Sequence, residues 1–215
     1  MDARRLADAA SHLRRADPVL GAIVERVGPC TLEFPRRPAP FRALARAIVF
    51  QQLSGKAAET IHGRFAALFG GRPSPAGVLA ADDATLRGAG LSRGKVAALR
   101  DLAVAAGDGR LPRRFPPTMT DDAVTDALVR VRGIGPWTAQ MFLLFHLGRP
   151  DVWPIGDLGV RTAVRRAYAL RREPTPARLE RLAAPWRPFR SVATWYLWRS
   201  LDAPSTDPTT PRSSG

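Results

Sequence analysis

One cysteine, Cys30, is the only thiol in the 215-residue chain. That excludes an intrachain disulfide and any iron–sulfur cluster built on cysteine ligands. No stretch approaches 18 uninterrupted apolar residues, so no membrane-spanning helix is expected. The first residues carry Asp2, Arg4 and Arg5 rather than an apolar run. No signal peptide is therefore expected, and a cytoplasmic, monomeric protein follows as the working picture. Acidic residues are scarce. Asp plus Glu total 19 against 33 Lys plus Arg, giving a net charge of +14 and an isoelectric point near 11.5. A polyanionic partner accounts for that surface. Nucleic acid leads over an anionic membrane, because no long basic amphipathic helix stands apart from the rest. A generally arginine-rich composition is the alternative account. The length suits one or two small domains with a buried core.

What is present is helical periodicity. Residues 1–27 read as one or two helices broken at Asp17-Pro18, followed by a proline-rich irregular stretch to Pro40. Thr31-Leu32-Glu33-Phe34 could form a short isolated strand. Residues 41–50 are apolar on nearly every side and read as a buried central helix. It ends at Gln51-Gln52-Leu53, and Ser54 caps a helix over 55–69. Two amides and a leucine on a helix-to-helix corner are unusual. Asp82 caps a short helix to Arg87, and Ser92 caps one through Ala106. Arg93 and Lys95 at that start fit either a second phosphate grip or a plain cap with solvated charges. A Gly/Pro/Arg linker spans 107–117. Helices follow over 121–131, from Pro136 to a stop at Gly148, from Asp157 to about Leu170, over 176–184 and over 189–201. The expected fold is all-α, with nine or ten helices. The Pro/Ser/Thr-rich tail from residue 202 or 203 to 215 is expected to be disordered.

The organising stretch is Val131-Arg132-Gly133-Ile134-Gly135-Pro136-Trp137-Thr138-Ala139. Gly133 and Gly135 break the preceding helix by allowing φ > 0, and Pro136 suits the first turn of the next. Two helices joined by this turn form a helix-hairpin-helix. Its backbone N–H groups, aimed outward at a helix start, attract an anion. Glycines let a phosphodiester approach, while Ile134 plugs the core side. Trp153-Pro154-Ile155-Gly156 then leads into Asp157, which stands where an N-cap would. Capping and charge stabilisation are compatible, since a capped carboxylate is held in one direction.

The hairpin, an Asp 20 positions after Trp137, the segment Ala45-Arg46-Ala47-Ile48-Val49-Phe50-Gln51-Gln52-Leu53-Ser54 and the segment Trp186-Arg187-Pro188-Phe189-Arg190-Ser191 together resemble the helix-hairpin-helix DNA glycosylase superfamily. Within it the likeness is to the 3-methyladenine DNA glycosylase II branch, over about residues 17 to 201. The resemblance implies two helical lobes, about 40–150 and about 1–39 plus 151–201, with the active-site cleft between them. It implies that double-stranded DNA docks its phosphates on Gly133, Ile134, Gly135 and Thr138, and the helix start at Arg93 and Lys95 is the candidate second contact noted above. Gln52 and Leu53 would fill the space of an extruded nucleotide. Trp137 and Trp198 would wall the pocket, with Met141 where a relative can carry an aromatic; Trp186 and Trp195 read as core. Asp157 would stabilise the positive charge that builds on the deoxyribose, as carboxylates do in glycosidases. An alkylated purine leaves with little further help, and an indole face suits its positive charge. Strand-nicking relatives carry a lysine where this chain has Trp137, and tryptophan cannot attack the sugar as an amine. The implied enzyme is therefore monofunctional and leaves an abasic site. No cofactor is required, although the carbonyls of Val129, Val131 and Gly133 could hold Na+ or K+.

Two departures stand out. Gly156 replaces an acidic residue common before the catalytic Asp, which would loosen the turn. Only about 40 residues precede the matched helix, too few for the N-terminal sheet domain of longer relatives. Two rival readings remain open. One is a non-catalytic helix-hairpin-helix DNA-binding module; the other is a glycosylase for oxidised guanine or a mismatched base.

Overall fold

The computed structural model describes residues 2–33 and 39–202, and every regular element among them is helical. The expected strand is not there. Thr31, Leu32 and Glu33 have no regular structure, since an isolated strand has nothing to take its backbone hydrogen bonds. Phe34 and the tail beyond Asp202 lie outside the described residues.

Two helices come first, α1 (Ala3–Ala16) and α2 (Pro18–Val27). Asp17 separates them and caps α2 through the N–H groups of Val19 and Leu20. Next are α3 (Pro40–Phe50), α4 (Gly55–Ala67), α5 (Pro75–Ala80), α6 (Asp83–Gly88) and α7 (Arg93–Asp108). The hairpin helices are α8 (Asp121–Val129) and α9 (Pro136–Met141), and α9 continues as a π-helical stretch, Phe142–Leu147. The chain closes with α10 (Leu158–Ala167), α11 (Pro176–Ala183), a 3-10 turn (Ala184–Trp186) and α12 (Arg190–Asp202). Twelve α-helices are described where nine or ten were expected, and the one that no sequence signal announced is α5, whose six residues are too few to show a helical period.

Several helices end earlier than their apolar pattern suggests, and the backbone shows why. Beyond α4, Gly70 and Gly71 take positive φ, and the Gly71 N–H returns to the Ala66 carbonyl. Beyond α10, Ala169 is left-handed (φ 48) and Leu170 N–H bonds the Arg165 carbonyl. Both are Schellman-type closures. Ser54 occupies the N-cap of α4 without a side-chain hydrogen bond, so it does not cap in the way its residue type suggests.

The described residues divide into two compact units, 2–33 with 149–202, and 39–148. In the first, α12 packs on α10, α2 and α1. Its residues Arg190 to Leu197 are all buried, the pattern of an internal helix. Trp186 is fully buried, meets Trp153 edge-on at 5.2 Å and donates its indole N–H to Asp17 at 3.0 Å. Trp195 is also core, as expected. In the second unit α7 is the centre, packed by α3, α5 and α6. The helix α3 buries one face only, through Phe41, Leu44, Ala45, Ile48 and Val49. Its opposite face exposes Arg42 and Arg46, and Arg46 lies 3.7 Å over the Phe50 ring while pairing with Glu59. No helix among the described residues is long and apolar enough to cross a membrane.

Candidate functional site

The hairpin turn is built from inside. Gly133 has φ +80, and a Cβ there would sit 2.9 Å from the Ala98 Cβ on α7. Conformation and packing therefore both demand glycine. Gly135 differs from expectation: its φ is −94, and a Cβ would meet nothing within 4 Å. It does not break the helix by handedness; it leaves the outer side of the turn bare. Ile134 is 4% exposed and fills the core side. Inside the turn, Val131 N–H bonds Leu128, Ile134 N–H bonds Val131, and Arg132 N–H bonds the Asp101 carboxylate at 2.7 Å. The N–H groups of Gly133 and Gly135 meet no acceptor among the described residues. An open depression of about 690 Å³ lies over this turn, bordered by Val129 to Gly135 and Asp101. Bare amides at a helix start facing open space are what an anion requires.

Thr138 behaves differently from the other hairpin residues. It is buried, and its hydroxyl accepts the Gln51 amide at 3.2 Å. The side chain thus braces the turn from within rather than facing a ligand. Gln51 also donates to the Gly133 carbonyl at 2.8 Å. Sequence reasoning noticed the two amides at this corner but assigned a role only to Gln52; the unusual pair was the available signal for Gln51. Gln52 itself is exposed and left-handed at φ 58, and Leu53 is half-buried. Among the described residues only Gln52 and Ala169 hold a positive φ without being glycine. Such a conformation persists only where the surroundings impose it. On the other side of the corner, Lys95 donates to the Val49 carbonyl at 2.6 Å. Burial lowers its pKa from the usual lysine value. Its ammonium thus closes the end of α3, and of the two expected phosphate cations only Arg93 is exposed with no such tie.

The carbonyls proposed for a monovalent cation are partly engaged. Gly133 accepts from Gln51, and Val131 from Ile134. Each keeps a second lone pair, and an all-oxygen set suits a hard cation.

Asp157 caps α10. Its Oδ1 accepts the Val160 N–H at 2.8 Å and the Trp198 indole N–H at 2.8 Å, and the residue is 9% exposed. Trp198, expected as a pocket wall, is thus also the carboxylate's partner. Gly159 packs closely against the pair. A Cβ there would lie 3.1 Å from Asp157 Oδ1 and from the indole Cδ1. The approach to Asp157 is closed by Asp157 N–H on the Pro154 carbonyl at 2.9 Å. Gly156 is exposed with room for a Cβ, so its lack of a side chain does not leave this turn unclosed. Next to the carboxylate, Leu158 is 72% exposed.

The Trp186–Ser191 segment explains itself in this frame. Arg190 forms a two-pronged pair with Asp151, at 2.8 and 2.9 Å, and also bonds the Asp151 carbonyl. Ser191 donates to the Arg149 carbonyl and accepts the Val152 N–H. The motif therefore clamps residues 149–152, which run directly into the Asp157 loop. Trp137, at the second position of α9, is 46% exposed, and Met141 is half-buried. Both belong to the 39–148 unit, as do Gln52, Leu53 and the hairpin. Asp157 and Trp198 belong to the other.

The chain is similar in sequence and fold to known proteins. Residues 45–188 match the family model described as HhH-GPD superfamily base excision DNA repair protein. The chain is 30% identical to the alkylbase DNA glycosidase-like protein mag2 of Schizosaccharomyces pombe, covering 89% of this chain and 92% of that one. It is 33% identical to DNA-3-methyladenine glycosylase 1 of the same yeast, covering 80% and 78%. The solved structure of the S. pombe 3-methyladenine DNA glycosylase Mag1 with abasic DNA superposes with a TM-score of 0.81 at 31% identity, covering 91% of this chain and 97% of that one.

Proposed function

Because the chain belongs to the HhH-GPD superfamily of base excision DNA repair proteins, we propose that it is a monofunctional DNA-3-methyladenine glycosylase acting on alkylated purines in duplex DNA. The observation that carries the reading is the carboxylate of Asp157, directed by a helix N–H and an indole N–H, at the position to which the family resemblance assigns the chemistry. The strand docks a phosphate on the bare N–H groups of Gly133 and Gly135. This contact is independent of sequence, as phosphate contacts are. Val129, Val131 and Gly133 would hold a monovalent cation beside that phosphate and add positive charge there. The damaged nucleotide leaves the stack, which costs a few kcal/mol and less for a weakened pair. Gln52 and Leu53 take its place, and Trp137, Met141 and Trp198 receive the base. As the N-glycosidic bond stretches, positive charge builds on the sugar and the Asp157 carboxylate offsets it. Water completes the hydrolysis. With tryptophan at 137 no amine attacks the sugar there, so the product is an abasic site. The enzyme works as a monomer.

The test uses duplexes with single defined lesions, scored as strand breaks after alkali. Release of 3-methyladenine by the parent, lost in Asp157→Asn while DNA binding persists, is the expected result. Binding without base release by the parent would make the chain a non-catalytic module. Strand breaks without alkali would overturn the monofunctional assignment.

A further inference from the structure

We propose that Gln51 is a positioning residue that locks the duplex-entering corner to the phosphate-docking turn, so that seating a phosphate on the hairpin sets the depth of the plug. The inference rests on the reading above and adds to it a residue that the chemistry does not touch.

The geometry is a fork. One amide nitrogen, Gln51 Nε2, donates to two acceptors on opposite sides of the turn, the Gly133 carbonyl at 2.8 Å and the Thr138 hydroxyl at 3.2 Å. Gly133 borders the open depression with an N–H that meets no acceptor among the described residues, and Thr138 sits in the first turn of α9. A single side chain from the corner thus holds both halves of the anion site. Next to it in sequence stands Gln52, exposed and left-handed at φ 58. A non-glycine residue keeps that conformation only when its neighbours dictate it, and the fork anchors the neighbour. The preceding residues are pinned as well, because Lys95 holds the Val49 carbonyl at 2.6 Å. The corner is therefore tied at two points, Val49 and Gln51, just before Gln52 and Leu53, which project beyond the tie.

The chemistry of the fork also matters. An amide nitrogen donates two hydrogens, and the Gly133 peptide whose carbonyl it polarises is followed by the Ile134 N–H. Glutamate at this position would accept only, and would face the carbonyl oxygen and the incoming phosphate with negative charge. Methionine keeps length and flexibility but donates nothing.

The experiment compares the parent with Gln51→Met, Gln51→Glu and Thr138→Val. Three quantities are read: binding of undamaged duplex, fluorescence of 2-aminopurine placed beside a lesion as a report of base opening, and single-turnover base release. For Gln51→Met the expected result is binding of undamaged duplex within about threefold of the parent, since the bare amides remain. Base opening is weakened, and release is slowed about 10- to 100-fold, the scale of a misplacement near one ångström. Thr138→Val, which removes one prong, falls between the two. Gln51→Glu loses binding as well. Should Gln51→Met not fold, Thr138→Val carries the same comparison. Unchanged opening and release in a folded Gln51→Met or Thr138→Val would overturn the proposal. So would a loss that follows binding or melting temperature in parallel, because a purely structural brace would do that. A parent that opens no base and releases none would instead sink the enzymatic reading, which separates the two failures.

Discussion

Two carboxylates in this molecule are built alike and held by different partners. Asp17 and Asp157 each follow a break in the chain, cap a helix and accept an indole N–H, from Trp186 at 3.0 Å and Trp198 at 2.8 Å. At Asp17 both oxygens are tied within the fold. Oδ1 takes the Val19 and Leu20 N–H groups, and Oδ2 takes Trp186 and the Tyr168 hydroxyl. Its indole partner is fully buried, and proline follows it. At Asp157 the Val160 N–H and the indole meet on one oxygen, Oδ1. The partner Trp198 is only half-buried, glycines stand at 156 and 159, and an exposed leucine follows. Asp157 is itself 9% exposed and Asp17 half-buried, so the two differ in their partners rather than in exposure: a glycine lets an indole approach one, and an aromatic hydroxyl and a buried ring close on the other.

That contrast can be broken by parallel substitutions. Asp157→Asn should lower single-turnover base release by about a hundredfold or more, with an unfolding free energy near the parent's by denaturant titration. Asp17→Asn should do the opposite. Its amide nitrogen would face two donors, so stability should fall by about 2 kcal/mol, while release per folded molecule stays unchanged. Equal loss of stability in both variants would erase the distinction. Gly159→Ala should cut release about tenfold by displacing the carboxylate or the indole by a few tenths of an ångström. Gly156→Ala, where a Cβ meets open space, should stay within about twofold by the same assay. A comparable loss in both glycine variants would assign the effect to the turn rather than to the Asp157–Trp198 contact.

The pH response tests the Asp17 side of the comparison. Burial raises the Tyr196 pKa to about 12, helped by the nearby Cys30. Burial and then the Asp17 carboxylate raise that of Tyr168. An unfolded tyrosine titrates near 10. The folded state thus holds these protons more tightly, and the stability they confer is complete below about pH 10 and is lost as pH rises through about 12. Denaturation midpoints should be level from pH 7 to 9 and drop between pH 10 and 12. Both tyrosines belong to the unit that holds the two carboxylates, so early exchange or cleavage under alkali should begin there. Loss beginning in residues 39–148 would contradict it.

The legible part of this protein was its helical periodicity and its turn chemistry. Asp82, Ser92, Thr120 and Asp157 cap the helices their residue types announce. Those signals are local, since a cap needs only the next three residues. The burial of Ile134 was readable for a similar reason, because it follows from its place in the hairpin. What failed was equally local in appearance but answered to distant partners. Lys95 looked like a free cation and is tied to Val49, and Thr138 looked outward and is held by Gln51. Gly135 looked like a left-handed break and is extended.

From its sequence alone, this chain is committed to helices, to a glycine turn of bare amides and to a carboxylate at the head of α10. Those choices depend on neighbours within one or two helical turns. Which cations stay free, which amide holds the turn and why position 159 must lack a side chain were decided by contacts between residues from about 40 to more than 80 positions apart. Such contacts exist only once the chain has folded, because a hydrogen bond across that separation gains nothing until packing has already brought its ends together.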